Sequence, residues 1–533
     1  MSVRSWWPWA AVVLVLLASA AVRLRLLDVP LDRDEGEYAY IGSLLLDGIP
    51  PYARAYNMKM PGIYGLYAVT LAVFGRTGLG VHLGLLAVTT VSTVLVFLLG
   101  RRLFDARVGV AAAVAFATLS LNPHLLGFAA YAEHFVLPAA LLGALLLVRA
   151  SEEDRPALLA LAGVLFGVAF LVKQSGGAFA AFGLVWVLQQ RLLGPIRDVR
   201  RALRDAGWLV AGAVAPFALV CGALVAMGTF PNFWFWTFRY ALEYASAETL
   251  SAGWRNVQRS AGAFLPASWP IAALAMIALA LALAGRDADL RRRRAFLALL
   301  AASSAAGVSA GLYFRPQYFL LLVPALALLA GAAPFALARA LAPARPWVGP
   351  ALAATLILLG PLNEAIVERG MLFRASAAQF GRELYGRNPF PESVEVARYI
   401  RERSAKDDRI AVIGSEPQIY FYAERPAATG YIYMYPLMEQ QPYAVAMQHH
   451  MVKELEALRP RFLVFVNVRT SWLAKPTSDL TLARWFQAQW KDFDQVGFAD
   501  IVSSDVTRYQ WDDAARDYRP ESSLWLAVFR RRE

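Results

Sequence analysis

Apolar runs of about 20 residues recur through the first part of the chain, each followed by a short polar connection. An α-helix of about that length crosses the hydrocarbon core of a bilayer, so each run predicts a membrane span. The eleven predicted spans are residues 7–27, 80–100, 107–123, 133–149, 157–172, 176–190, 207–228, 263–284, 295–313, 317–338 and 347–367. The chain is therefore predicted to be a polytopic α-helical membrane protein.

The distribution of arginine predicts which connections lie on the cytoplasmic side. Cytoplasmic loops carry an excess of Lys and Arg, and the arginines here fall in every second connection. These clusters lie at residues 101–107, 149–155, 191–204, 286–294 and 339–345. Residues 63–79 are apolar but short and rich in glycine, and counting them as a span would turn every later cluster outward. We therefore predict that they lie in the membrane interface, within a first outer loop of residues 28–79.

The pattern changes after residue 370. Residues 392–403, 447–458 and 480–493 have the spacing of amphipathic helices, whereas 409–414, 461–468 and 524–529 are typical of buried strands. Strands that alternate with helices predict a small α/β domain with a largely parallel sheet. The predicted domains are a transmembrane module, residues 1–370, and a soluble extracytoplasmic domain, residues 376–533.

Composition agrees with this architecture. Of the 533 residues, 58% are hydrophobic and 17% are charged, whereas about a quarter of a soluble protein is charged. The net charge of +12 comes from arginines in short loops, which predicts membrane topology rather than a nucleic-acid-binding surface. The single cysteine, Cys221, excludes an intramolecular disulfide and a cysteine metal site.

Candidate chemistry begins in the first outer loop, where Asp34, Glu35 and Glu37 are followed by Tyr38. Acidic residues after a span can simply end it and solvate a loop. Ionisable groups near membrane depth are costly and usually functional, however. Three acidic residues within four positions therefore favour a functional site. The triplet that starts at Asp32 also fits a D-x-D pattern, so a divalent cation held by Asp32 and Asp34 is compatible with the sequence without being required.

Further polar residues collect at the predicted outer ends of the spans. Lys59 alone could simply extend its charged end to water. Lys173, however, lies between two apolar runs, where a charge is costly. Arg315 lies in a predicted outer connection, on the side of the membrane where arginines are few. Glu133 opens a span, where an acid is also an ordinary helix start. Further candidate pocket residues are Glu37, Tyr38, Tyr52, His134, Gln174, Arg239, Gln317 and Tyr318. Such cations could stabilise a departing phosphate while a carboxylate deprotonates or orients a nucleophile.

These residues resemble the membrane glycosyltransferases of the GT-C fold, in particular the protein O-mannosyltransferase and aminoarabinose-transferase branch. The resembling segments are DEGEYA at 34–39, GIPPY at 48–52, KMPGIYGL at 59–66, AE at 132–133, LVKQSG at 171–176 and RPQYFLLLVPAL at 315–326. The segments occur in order through most of the predicted membrane module. The family commonly has Pro-Pro after its lysine, where Met60 and Pro61 follow Lys59 here.

The resemblance implies that a sugar is transferred from a polyprenyl-phosphate carrier to an acceptor on the extracytoplasmic face of the cytoplasmic membrane. It implies membrane lipid and the lipid-linked sugar as partners, no nucleic acid and no obligatory cofactor. Asp34 would be the general base, Glu35 its neighbour and Glu133 a second acid. The donor phosphate would be bound by Lys59, Lys173 and Arg315.

Two other classes of function stay open at this point. A transporter or lipid-linked-sugar flippase would be expected to place charges in mid-span and in paired broken helices, whereas the polar residues here collect at outer ends. A non-catalytic assembly or sensor protein would use its outer domain to bind a partner.

Overall fold

A computed structural model of the chain describes residues 6–193, 197–284, 288–341 and 348–532. Helices form the described chain up to residue 375. They are α1 (Trp7–Leu24), α2 (Arg33–Leu46), α3 (Pro61–Phe74), α4 (Gly78–Leu103), α5 (Ala106–Ser120), α6 (Ala132–Glu153), α7 (Pro156–Val172), α8 (Gly177–Leu192), α9 (Val199–Ala226), α10 (Phe230–Trp234), α11 (Ala241–Ala245), α12 (Leu250–Ala284), α13 (Ala288–Ser309), α14 (Val323–Leu341) and α15 (Val348–Val367). A π-helical turn, Phe235–Tyr240, joins α10 to α11.

The segment from residue 376 onward, called the tail below, combines short helices with a sheet. Its elements are α16 (Ala377–Tyr385), α17 (Phe390–Glu402), β1 (Ile410–Ile413), α18 (Gln418–Ala423), α19 (Tyr435–Met438), α20 (Ala444–Leu458), β2 (Phe462–Asn467), α21 (Arg469–Trp472), α22 (Thr481–Gln489), β3 (Phe493–Ile501), β4 (Thr507–Trp511), α23 (Asp513–Arg516) and β5 (Trp525–Arg531).

The helices confirm the predicted polytopic fold. Each of the eleven predicted spans coincides with one helix, namely α1, α4 to α9 and α12 to α15. Seven helices among the described residues are long and apolar enough to cross a membrane, and α3, α5, α7 and α14 provide shorter apolar helices. Helix α12 begins at Leu250, so it extends 13 residues before the predicted span 263–284. Two arginines of the predicted inner connections, Arg286 and Arg345, lie outside the described residues.

The five-stranded sheet has the order β1-β2-β5-β3-β4. Strands β1 and β2 are parallel, but β5 pairs antiparallel with both β2 and β3, and β3 pairs antiparallel with β4. The prediction of a largely parallel sheet is therefore wrong. It missed β3 and β4, which follow each other through a short turn. A short turn can join only antiparallel neighbours, because a parallel pair needs a longer crossover.

Helix α2 begins at a capping box that orders the acidic segment. The Asp32 carboxylate accepts a hydrogen bond from the Glu35 N–H at 2.9 Å, and the Asp32 N–H donates to Glu35 Oε2 at 3.2 Å. This reciprocal pair satisfies two backbone donors that a helix start otherwise leaves without partners. It also places Asp34 in the first turn of α2.

The tail docks on the same turn of α2. Arg33 forms an ion pair with the fully buried Glu416 at 2.7 Å, and the Tyr40 hydroxyl accepts a hydrogen bond from the Ala427 N–H at 2.8 Å. Gly36 faces α18 so closely that a Cβ at this position would lie 2.5 Å from Gln418 Cβ. The chain segment that carries Asp34 is therefore held from both sides.

Gly36→Ala is expected to destabilise the protein by about 1–3 kcal/mol, because the new methyl group must displace the backbone of Gln418. The matched control is Gly65→Ala on α3, where an added Cβ would meet nothing within 4 Å. That substitution is expected to be neutral or stabilising by roughly 0.5–1 kcal/mol. Thermal unfolding in detergent compares the variants, and equal midpoints for both would show that the α2–α18 contact is loose.

Candidate active site

A pocket opens between the helical part of the chain and the tail. It encloses about 550 Å³ of empty space, counting its open mouth. Its lining residues are Asp34, Asn57, Met58, Lys59, Tyr240, Tyr244, Arg315, Gln317, Tyr318, Tyr433, Tyr435, Pro436 and Glu439. The structure thus brings together five candidates from distant parts of the sequence, namely Asp34, Lys59, Arg315, Gln317 and Tyr318.

Asp34 is held by one partner from each side of the pocket. Its Oδ2 lies 3.1 Å from Lys59 Nζ, and its Oδ1 accepts a hydrogen bond from the Tyr433 hydroxyl at 3.1 Å. Both charged side chains remain partly accessible, with 22% of Asp34 and 20% of Lys59 exposed. Burial by itself raises the pKa of Asp34, but the positive charges of Lys59, Arg315 and Lys173 outweigh burial and lower that pKa below its ordinary value.

Lys59 is positioned through its backbone as well as its charge. The hydroxyl of the buried Tyr52 donates a hydrogen bond to the Lys59 carbonyl at 2.7 Å, and Lys59 Nζ lies 5.5 Å from the centre of the Tyr38 ring. Burial opposes its charge, but Asp34 and Glu37 raise the pKa of Lys59. Tyr52 and Tyr38 therefore support the pocket from behind, although neither lines it.

Lys173 and Glu133 form a second ion pair beside the pocket. Lys173 Nζ donates to Glu133 Oε1 and lies 4.1 Å from the centre of the Tyr318 ring, which lines the pocket. The neighbouring Gln174 donates from Nε2 to the Met58 carbonyl at 2.8 Å. Lys173 and Gln174 therefore lie just outside the pocket and contact residues that line it, and Glu133 lies behind Lys173.

Arg315 lies on the pocket wall with aromatic residues. Its Nη2 donates to the Tyr244 hydroxyl at 3.3 Å, and the Tyr244 ring stacks on Tyr313 with the ring centres 4.4 Å apart. On the side of the tail, the Tyr240 hydroxyl donates to Glu439 Oε2 at 2.5 Å. The pocket thus offers charged groups of both signs together with flat rings, a combination suited to a phosphorylated sugar.

Glu35, His134 and Arg239 are not brought into the pocket. Glu35 uses Oε2 in the capping box of α2, and its Oε1 accepts a hydrogen bond from the Ala130 N–H at 2.7 Å. His134 is buried in α6, and Arg239 is exposed on the π-helical turn. Both carboxylate oxygens of Glu35 are thus engaged by backbone N–H groups, and Glu35 does not line the pocket.

The carboxylates of Asp32 and Asp34 contact different partners and are not arranged to bind one cation together. The Asp32 carboxylate accepts hydrogen bonds from the Glu35 N–H and the Tyr131 hydroxyl, whereas Asp34 contacts Lys59 and Tyr433. Burial, with the nearby charges of Glu35 and Asp34, raises the pKa of Asp32 to about 8. The described residues contain no group of three or more His, Cys, Asp or Glu side chains placed to hold a metal ion. This arrangement of carboxylates does not fit a divalent cation.

Glu37 lies behind the pocket without lining it. It is completely buried, its Oε1 accepts a hydrogen bond from the Tyr64 hydroxyl at 2.7 Å, and its Oε2 has no partner among the described residues. Burial raises the pKa of Glu37 to about 8. This acid is therefore largely protonated at neutral pH, unlike Asp34 one helical turn away.

The residues that the tail contributes to the pocket, above all Tyr433, Tyr435 and Glu439, were not predicted from the sequence. Tyrosines alternate with other residues at 431, 433 and 435, a pattern that would have marked a lining surface. Tyr240 and Tyr244 of the neighbouring aromatic segment were not among the predicted pocket residues either, although both line the pocket. Tyr240 is buried against the tail and bonded to Glu439.

One protein family matches part of the chain. Residues 59–217 match the model of the family described as dolichyl-phosphate-mannose-protein mannosyltransferase. The match begins at Lys59 and includes Glu133 and Lys173. A comparison with curated proteins found no match.

Solved structures with the same fold match nearly the whole chain. A crystal structure of ArnT from Cupriavidus metallidurans bound to undecaprenyl phosphate has a TM-score of 0.62 at 17% identity and covers 97% of each chain. The archaeal oligosaccharyltransferase AglB from Archaeoglobus fulgidus, in complex with an inhibitory peptide and a dolichol-phosphate, has a TM-score of 0.56 at 14% identity. That match covers 98% of this chain and 76% of AglB. The resemblance to GT-C proteins and the predicted fold class are thereby confirmed.

Glu37→Gln is expected to reduce the loss of stability as pH rises from 5 to 9. Because the pKa of Glu37 in the folded protein, about 8, lies above its ordinary value of 4.5, the folded state holds a proton between these two values that the unfolded state has released. The contribution of this group to wild-type stability therefore falls as pH rises from 4.5 to about 8 and changes no further above that pH. Glutamine cannot ionise, so the midpoint of thermal unfolding should fall less between pH 5 and pH 9.

The exposed Glu243 on α11 supplies the matched control for this prediction. Glu243→Gln should leave the pH dependence of the unfolding midpoint as it is in the wild type. Identical pH dependence of Glu37→Gln and wild type would contradict the assignment of Glu37 as a buried neutral acid.

Proposed function

We propose that the chain transfers a sugar from a polyprenyl-phosphate-linked donor to a hydroxyl or amine of an acceptor, and that the reaction takes place in this pocket. The observation that carries the proposal is the convergence of one accessible carboxylate, Asp34, with the cations Lys59 and Arg315 in a single pocket, next to Lys173. The fold shared with ArnT and AglB and the match to a mannosyltransferase family support it.

The cations would bind the phosphate of the donor. Lys59 and Arg315 line the pocket, and Lys173 adds a positive charge from behind Tyr318. When the bond between the anomeric carbon and the phosphate oxygen breaks, its electron pair stays on the phosphate. Preorganised cations stabilise that developing charge better than water does, because they need not reorient during the reaction.

Asp34 would accept the proton of the nucleophile while the nucleophile bonds to the anomeric carbon. Its lowered pKa keeps it ionised at neutral pH, but in the empty pocket Lys59 occupies its Oδ2. A bound phosphate would give Lys59 and Arg315 a second anion to contact. Their hold on Asp34 would then weaken, Oδ2 would become available to the acceptor, and Tyr433 would keep Oδ1 in place.

The extracytoplasmic position of the site is part of the proposal. Helix α4 has 26 residues, a length of about 39 Å, and links the two ends of the bundle. Its first turn lies beside Leu31 and Tyr422 near the pocket, and its last turn carries Arg101 and Arg102. If the arginine-rich end is cytoplasmic, the pocket and the tail lie on the other side.

Asp34→Asn should lower the rate of sugar transfer by at least about 100-fold, the usual contribution of a positioned general base. The assay incubates purified protein with synthetic undecaprenyl-phosphate mannose, glucose or aminopentose and a membrane extract that supplies acceptors. Mass spectrometry follows the release of undecaprenyl phosphate and the appearance of a glycosylated product.

The control for Asp34→Asn is Asp28→Asn, which changes an exposed carboxylate of the same loop and should retain full transfer. Unchanged transfer in the Asp34 variant would remove that residue from the mechanism. Uptake of lipid-linked sugar into vesicles by the wild type without any covalent product would instead favour a flippase.

Tyr433→Phe should move the acidic limb of the pH profile of kcat/KM upward by roughly half to one pH unit. The hydroxyl stabilises the ionised form of Asp34, so its loss raises the pKa of Asp34. Transfer requires ionised Asp34 and is lost as pH falls through that pKa. Tyr431→Phe removes a hydroxyl directed at His450 and is the control that should leave the limb in place. An unmoved limb in Tyr433→Phe would contradict the proposed contact.

A further inference from the structure

A second groove lies at the arginine-rich end of the bundle, where α5, α12, α13 and α14 meet. It encloses about 960 Å³ of empty space, counting its open mouth, and is lined by Phe104, Asp105, Val108, Ala278, Leu281, Arg293, Arg294, Leu297, Leu329, Ala332, Ala333, Phe335 and Ala336. The connection between α4 and α5 and the start of α13 therefore meet here. Arginine clusters in both segments predict that this is the cytoplasmic end of the bundle.

The walls of the groove are apolar and its charged groups lie at one end. Leu297 and Leu329 are buried, whereas Ala332 and Phe335 are half-buried, at positions along α13 and α14 that lie within the spans. This apolar lining suits a hydrocarbon chain better than a soluble metabolite. Because the apolar part of the groove continues into a charged end, a molecule with an apolar chain and a charged head group would fit both parts.

Arg294 supplies the specific evidence for an anion. Its Nη1 is shielded from solvent and has no hydrogen-bond partner among the described residues. An unpaired guanidinium nitrogen in an apolar setting is costly, and an anion would remove that cost. The carboxylate in the groove does not pair with this nitrogen: Asp105 Oδ1 accepts hydrogen bonds from the Arg107 and Val108 N–H groups at 2.8 and 3.0 Å, and Arg294 Nη1 has no hydrogen bond to Asp105.

We propose that this groove binds an anionic phospholipid, with its phosphate at Arg294 and an acyl chain along Leu297, Leu329 and Phe335. The site lies at the opposite end of α4 from the pocket of Asp34, so the proposal does not depend on the transferase assignment. The bound lipid would link α5, α13 and α14 where their connections meet. It would therefore stabilise the bundle without entering the reaction.

The test adds lipid to the delipidated full-length protein in neutral detergent. Phosphatidylglycerol and phosphatidylcholine with identical acyl chains are compared by native mass spectrometry and by the midpoint of thermal unfolding. Phosphatidylglycerol should bind and raise the midpoint in wild type, and phosphatidylcholine should do so much less. Arg294→Gln should weaken phosphatidylglycerol binding about 10-fold, the loss of one charge-assisted hydrogen bond.

Two further variants separate this site from general attraction of anionic lipid. Arg101→Gln changes an exposed arginine in the last turn of α4 that does not line the groove and should retain wild-type affinity. Ala336→Phe fills the groove from its exposed rim, leaves Arg294 intact and should also weaken binding, so the proposal stays testable if Arg294→Gln does not fold.

Equal losses of phosphatidylglycerol affinity in Arg101→Gln and Arg294→Gln, or unchanged binding in Ala336→Phe, would overturn the proposal. Stabilisation by inorganic phosphate alone that equals the lipid effect would also overturn it, because the groove would then be a simple anion site.

Discussion

The ion pair between Asp34 and Lys59 is the interaction on which the pocket depends. A carboxylate this close to apolar helices would bind a proton if it stood alone, as Glu37 does one turn further along α2. Lys59, Arg315 and Lys173 keep Asp34 ionised, and Asp34 in turn helps to keep Lys59 charged. Each charge is therefore available for chemistry because the opposite charge is held beside it.

The surrounding contacts hold the ion pair between Asp34 and Lys59 in this position. The capping box fixes the first turn of α2, Glu416 holds Arg33 from the tail, and Tyr52 fixes the backbone of Lys59. The tail is thus part of the pocket, since Tyr433 contacts Asp34 directly. A partly exposed ion pair has little intrinsic preference for one geometry, so its position must come from these buried contacts.

The sequence was sufficient to predict features that follow from the cost of placing polar groups in a membrane. Apolar runs located the helices, and unusual charges at their ends identified Asp34, Lys59, Lys173 and Arg315. It was insufficient where a residue's role depends on a distant partner. The capping contacts of Glu35 were not predicted, and Tyr433 was missed because it reaches Asp34 only after the tail docks. Strands β3 and β4 were likewise not predicted, so their antiparallel pairing was missed and the sheet was predicted to be largely parallel.

The most direct test of the account is an experimental structure of the protein with undecaprenyl phosphate bound. We expect the phosphate to lie within hydrogen-bond distance of Lys59 and Arg315, with Lys59 withdrawn from Asp34 Oδ2 and Tyr433 still on Oδ1. A phosphate bound away from these residues, with the ion pair between Asp34 and Lys59 unchanged, would contradict the account.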